Sequence, residues 1–210
     1  MKKTISLLII AFSLKLSSES KNIELPLQTP TPWLKSRLEL YKNMPQGGIV
    51  AEIGVMIGVG AEQILKNNNP KKLYLIDHWR QDKYFSKRTQ DGWFKMVCEK
   101  FKNDKRVEII KGESIDIAKT FKDGFFDWIY IDAAHDYTSV TNDLNAWFNK
   151  VKSSGFITGH DYGIHPRDSY GVIKAVNELL KQKNLKMSYL TNENPGVTIG
   201  VYRSFAIKKD

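Results

Sequence analysis

Three features of the sequence predict an α/β fold, a doubly wound, mostly parallel seven-stranded sheet with an antiparallel C-terminal hairpin strand. From residue 45 onward short apolar runs alternate with stretches of helical periodicity, the pattern of repeated strand and helix units on a parallel sheet. Each helical stretch carries one apolar stripe, which is what a helix lying on a sheet needs. The 210 residues suffice for one core of ordinary size and leave little room for two.

The expected organisation is an arm and leading helix over residues 1–44, followed by the main domain over 45–210. Lys2, Lys3 and the apolar run 5–14 resemble the start of a secretion leader, but the run is about half of what a bilayer-spanning helix needs, and Lys15 ends it. No membrane span is expected, and the main expectation is a cytoplasmic chain. A leader cleaved near Ser18 or Ser20 is the alternative, against an arm that packs on the domain or on a second copy in a homo-oligomer. Pro30 and Pro32 then precede Leu34, Leu38 and Tyr41, the stripe of a capped leading helix.

Strands are expected over 49–55, 72–77, 107–111, 126–132, 155–161, 187–191 and 196–202, and helices near 61–66, 92–101, 115–121, 139–151 and 170–183. Val140, Leu144, Trp147 and Val151 recur at helical spacing, as do Val172, Val176, Leu179 and Leu180, and all are assigned to the core. Asn192 to Gly196 is a turn between the last two strands, so the final hairpin should add an antiparallel edge.

Composition narrows the function. Hydrophobic residues make up 41% and charged residues 26%, too apolar for a disordered chain. The single cysteine, Cys98, excludes an internal disulfide and a multi-cysteine zinc site, and reads as a small buried apolar residue. The net charge of +9 raises nucleic acid as a partner, yet the excess lies at the two ends of the chain and no run of five basic residues occurs. A nucleic-acid partner is therefore not expected.

The first strand runs into Glu52-Ile53-Gly54 with Gly58 and Gly60 following. Glycines there let backbone turn and approach a ligand, but the spacing is neither that of a pyrophosphate loop nor of a P-loop, which disfavours dinucleotides and nucleoside triphosphates. Glu52 would repel phosphate and suits an ammonium or sulfonium. Asp77, at the end of the next strand, stands where such sheets place a carboxylate for ribose hydroxyls.

With Leu75-Ile76-Asp77 and Gly112-Glu113-Ser114, this pattern resembles the S-adenosylmethionine site of class I methyltransferases, whose sheet is Rossmann-like. The stretches 126–137 and 155–162, with Asp143-Leu144, are similar to a narrower branch: metal-dependent sugar O-methyltransferases and cephalosporin-hydroxylase-like relatives. The resemblance covers roughly residues 48–203. It implies that Glu52, Gly54 and Gly58 line the methionine end of S-adenosylmethionine, that Asp77 holds the ribose, and that Gly112 and Ser114 lie by the adenine, with His78 and Trp79 as candidate flanks and packing as the alternative for Trp79.

Asp132 and Asp161 close two neighbouring strands about 4.8 Å apart, so their carboxylates can converge and need a counter-ion, with Mg²⁺ as the first candidate. The resemblance implies Asp132, His160 and Asp161 as metal ligands, His160 being a departure from relatives that carry an acid there, and His135 as general base beside catalytic Asp132. Loops 80–91 and 164–169 are candidate acceptor walls, with Lys83, Lys87, Arg88 and Arg167 as candidate contacts for an anion. The expected activity is methyl transfer to a hydroxyl of a small molecule such as a sugar. Two alternatives are a non-haem iron hydroxylase using His135, His160 and a carboxylate, and a nucleic-acid-associated binding protein.

Overall fold

The computed structural model describes residues 32–163, 171–192 and 202–210. An eight-stranded sheet forms the spine. Its strands are β1 (Trp33–Leu34), β2 (Ile49–Ile53), β3 (Lys72–Asp77), β4 (Val107–Lys111), β5 (Phe126–Ile131), β6 (Val151–Gly159), β7 (Met187–Thr191) and β8 (Phe205–Lys208), in the order β1-β7-β8-β6-β5-β2-β3-β4. Only β8 is reversed, antiparallel to both β6 and β7. The winding reverses at β2: β3 and β4 follow on one side, β5 and β6 on the other. Ligands bind such sheets in the crevice beyond the carboxyl ends at that reversal, here between the ends of β2 and β5.

Among the described residues six helices cover the two faces: α1 (Arg37–Asn43), α2 (Val59–Asn67), α3 (Lys87–Phe101), α4 (Ser114–Ala118), α5 (Tyr137–Phe148) and α6 (Gly171–Lys183). One apolar cluster joins α1, α2 and α3 to the sheet through Leu40, Tyr41, Ile64, Val97 and Trp128. The other joins α4, α5 and α6 through Ala118, Leu144, Trp147, Val176 and Ile129. Starts are fixed by side-chain caps: Ser36 accepts from Glu39 N–H, Ser86 from Thr89 N–H and Asp136 from Ser139 N–H, each relieving an unpaired first-turn amide.

The differences from expectation have local causes. β1 is the eighth strand; it is two residues long, too short for a periodic signal, and pairs parallel with β7 at Trp33↔Leu190 and Leu34↔Thr191. In α1, Leu38 is exposed and its place against the core is taken by Leu40 and Met44. Of the expected strand 196–202, residues 196–201 lie outside the described residues and Tyr202 is not in a strand; the reversed strand is β8, further on. It is not an edge: β8 sits between β6 and β7, and β1 closes that side of the sheet. Among the described residues no helix is long and apolar enough to cross a membrane.

Candidate active site

β2 delivers Glu52 into the crevice. Its side chain is buried, one carboxyl oxygen has no hydrogen-bond partner, and Cβ on Gly60 would come within 2.0 Å of the other. Burial pushes this carboxyl well above the usual range, the charges of Asp132 and Asp77 add to that, and Arg37 opposes. A buried acid with an unused oxygen and no opposing phosphate-binding glycine loop is suited to a cationic group. Gly54 follows with φ +87°, and a Cβ there would meet the Asp132 carbonyl oxygen at 2.1 Å, so only glycine lets β2 and β5 end this closely. Gly58 caps the start of α2.

Asp77 does more locally than the sequence suggested. Its Oδ2 accepts from Val55 N–H at 2.9 Å and Met56 N–H at 3.0 Å, and its Oδ1 accepts from Trp79 N–H at 3.0 Å. The carboxylate therefore pins the glycine loop, and of its roughly four lone-pair positions about one is left for another donor. Trp79 is core, not an adenine flank: it is fully buried against Phe94 and its Nε1 donates to the Met56 carbonyl at 2.9 Å, tying down the same loop. His78 stays at the rim, where its Nδ1 accepts from Arg80 N–H. Gly112 N–H donates to the Asp77 carbonyl, which places it beside Asp77 at the end of β4. The Ser114 hydroxyl is engaged elsewhere, donating to Asp143 at 2.5 Å and accepting from Trp147 Nε1 at 2.8 Å.

Across the reversal, Asp132 follows β5 and its N–H donates to the Ile53 carbonyl, which sets it beside Gly54. Asp161 follows β6 with φ +57°, a left-handed conformation that Asp tolerates better than most residues, and its side chain is buried. His135 Nε2 lies 2.9 Å from Asp161 Oδ2. One ligand atom from each of Asp132, His135 and Asp161 fits within a 4.8 Å span. His160 faces the pair of carboxylates, its Nδ1 3.5 Å from Asp161 and 3.7 Å from Asp132, while its Nε2 is buried without a partner.

The charges balance internally. Burial would lower the His160 pKa, but Asp132 and Asp161 outweigh it and raise it to about 9, so the imidazole is cationic at neutral pH. Burial would likewise raise Asp161, yet His135 and His160 hold it below the usual carboxylate range. Sequence reasoning grouped Asp132, His160 and Asp161; the convergent set contains His135 in place of His160, and its composition of one imidazole and two carboxylates is the inverse of the iron triad considered above.

The residue sequence reasoning missed is Arg37. From the first turn of α1 its Nη1 reaches Asp132 Oδ2 at 3.4 Å, and the guanidinium lies among Tyr130, Tyr41 and Asp132. The Tyr130 hydroxyl in turn meets the Ser204 hydroxyl at 3.0 Å. An arginine in a leading helix belongs to no motif, so only the packing of α1 on the sheet reveals it.

The profile of the methyltransferase domain family matches residues 51–162, from the glycine loop to the residue after Asp161. The chain belongs to that family. No curated protein matches the sequence. Among solved structures, a Streptococcus mutans protein assigned as a methyltransferase and solved with SAH is similar at TM-score 0.60 and 14% identity, over 84% of this chain and 99% of that one. A Clostridium thermocellum protein assigned as an rRNA methylase gives TM-score 0.61 and 15% identity over 82% and 92% of the two chains. A Staphylococcus aureus protein assigned as a caffeoyl-CoA O-methyltransferase gives 0.59 and 18% over 85% and 86%. At these identities the likeness speaks for the fold, and the different acceptors in those descriptions leave the acceptor open. The enzyme is a class I S-adenosylmethionine-dependent methyltransferase.

Proposed function

We propose that this methyltransferase moves the methyl group of S-adenosylmethionine to a hydroxyl oxygen of a small molecule, a sugar or sugar-bearing metabolite, at a divalent-cation site formed by Asp132 and Asp161, with the His135 imidazole beside it as base. The observation that carries this reading is the convergence of Asp132, His135 and Asp161 within 4.8 Å, across the crevice from Glu52. The two hard carboxylate donors suit Mg²⁺ with water in its other positions. Such a cation supplies one thing here: it lowers the pKa of a hydroxyl bound to it.

The rest falls to the protein. Glu52, Gly54 and Gly58 line the methionine end, where an acidic environment favours ammonium and sulfonium. Asp77 holds a ribose hydroxyl with its remaining lone pair while it fixes the loop, and His78, Gly112 and the backbone of Ser114 border the adenine. Asp161 orients His135 through the 2.9 Å contact, and His135 receives the hydroxyl proton as the oxygen attacks the methyl carbon. Asp132 places the acceptor oxygen, and Arg37 offsets the Asp132 charge until a cation takes its place. His160, cationic beside both carboxylates, offsets their charge.

Methyl transfer from radiolabelled S-adenosylmethionine to a panel of hydroxylated sugars and catechols tests the reading. Transfer to oxygen that needs Mg²⁺, stops in EDTA and is lost in His135→Gln supports it. Undiminished transfer in EDTA contradicts it.

A further inference from the structure

The crevice has a second rim that neither the glycine loop nor the carboxylate cluster uses. β1, β7 and the start of β8 end on the same side of the sheet as Asp132 and Asp161, because β1 and β7 run parallel to the central strands and β8 runs against them. Trp33, Tyr202 and Arg203 lie at that end of the sheet. Trp33 is 48% exposed and Tyr202 36% exposed, unusual for such large rings in a well-packed chain. The Arg203 guanidinium carbon lies 5.6 Å from the centre of the Trp33 ring, and the Tyr202 ring stacks on His160 with centroids 6.4 Å apart at 30°. The Arg203 carbonyl accepts from Tyr162 N–H at 2.9 Å, which locks this corner to the segment that carries Asp161.

Arg203 stands out among the site's cations. Arg37 is matched to Asp132 and His160 to both carboxylates. Arg203 forms no ion pair with a carboxylate among the described residues, and its Nε is buried without a hydrogen-bond partner. A guanidinium held over an indole by cation–π attraction is kept in place without being neutralised. Its planar fork of N–H donors can receive a carboxylate or phosphate through two parallel bonds.

We propose that Trp33, Tyr202 and Arg203 form the acceptor's binding subsite, and that the acceptor is a hydroxylated ring bearing an anionic group, carboxylate or phosphate, which Arg203 receives. The rings of Tyr202 and Trp33 cover the faces of the acceptor ring. Asp132 and Asp161 are already matched by Arg37 and His160, so the acceptor's anion is received by Arg203 and a remote hydroxyl lies toward Asp132 and Asp161. The anchor at Arg203 thus selects which hydroxyl is methylated. This rests on the proposed acceptor position beside Asp132, and it sharpens the substrate from any hydroxylated metabolite to an anionic one.

The test is binding, measured without metal so that it stays separate from the cation-assisted chemistry. Full-length protein is saturated with S-adenosylhomocysteine, and saturation is verified by calorimetry. Charge-matched pairs are then titrated by ligand-observed NMR: glucuronate against glucuronamide, and 3,4-dihydroxybenzoate against 3,4-dihydroxybenzamide, with glucose 6-phosphate as the phosphate arm. At least one anionic probe should bind at least tenfold more tightly than a neutral ring of the same frame; preference for glucose 6-phosphate over glucuronate assigns phosphate, and the reverse assigns carboxylate. Arg203→Gln should abolish the ratio while leaving S-adenosylhomocysteine affinity unchanged, and Trp33→Ala should weaken both members of a pair alike. Should Arg203→Gln fail to fold, Arg203→Lys and a salt series on the wild type read the same charge, since the ratio must shrink with salt. Equal binding of charged and neutral probes, no binding of any anionic probe, or a ratio that survives Arg203→Gln overturns the proposal. Loss of Mg²⁺ dependence in the transfer assay would instead overturn the cation-assisted reading and leave this subsite standing.

Discussion

Asp143→Asn should make the enzyme more stable at neutral pH and remove one component of its pH dependence. Asp143 lies on α5 with its side chain buried, accepts from the Ser114 hydroxyl at 2.5 Å, and is pushed up to about 6, chiefly by burial, with the Ser114 bond opposing. The unfolded carboxyl titrates at about 3.9, so between roughly pH 4 and 6 the folded chain holds a proton the unfolded chain has released. Stability from this group is therefore full below pH 4 and falls as pH rises through 6. Two pKa units correspond to on the order of 3 kcal/mol, which ionised Asp143 costs the fold at pH 7.5. Asparagine keeps the size and the acceptor oxygen for Ser114 but cannot ionise. Urea unfolding followed by tryptophan fluorescence across pH 4 to 8 should show the two proteins equal near pH 4 and the variant more stable by on the order of 2–3 kcal/mol at pH 7.5, with an unchanged m-value. Parallel pH profiles, or a variant less stable at pH 7.5, would refute the assignment of a buried Asp143 whose pKa is raised on folding.

Two further outcomes follow from the cofactor side of the site. Asp77→Asn replaces an acceptor of three backbone N–H groups by one that brings its own donors, so the glycine loop should loosen, at a cost of about 1–3 kcal/mol, and S-adenosylmethionine should bind at least tenfold more weakly by calorimetry. Unchanged affinity would show that neither the loop nor the ribose depends on this carboxylate. Arg37→Met frees Asp132 from its guanidinium partner; a partly exposed pair at 3.4 Å is worth about 1 kcal/mol, so the apparent Mg²⁺ affinity should rise by about fivefold. A fall in affinity would mean that Arg37 positions Asp132 for the cation and does not compete with it.

The sequence announced the sheet because its strands are apolar runs separated by one-striped helices, and β3, β4 and β7 begin and end where those runs do. Glu52, Gly54, Asp77, Asp132 and Asp161 were legible for the same reason: each sits at a strand end, where position along the run fixes position in the crevice. What stayed hidden depends on contacts between segments far apart in the chain. Nothing local marks the 95-residue separation bridged by Arg37 and Asp132, or the engagement of Ser114 by Asp143 and Trp147. The two-residue strand β1 has no period to detect, and the place of β8 inside the sheet is a matter of topology, not of propensity. Trp79 looked available beside Asp77 because sequence order conceals that its ring turns into the core.

Calorimetric titration of Mg²⁺ or Mn²⁺ into the S-adenosylhomocysteine-saturated enzyme, wild type against Asp161→Asn, tests the cation site most directly. Asparagine tolerates the left-handed backbone at this position, so the loop should survive the substitution. One equivalent of metal bound by the wild type, none by the variant, and the same S-adenosylhomocysteine affinity in both is the predicted result. A wild type that binds no metal, or a variant that binds it equally well, would contradict the assignment of Asp132, Asp161 and their neighbouring imidazoles as the centre of the reaction.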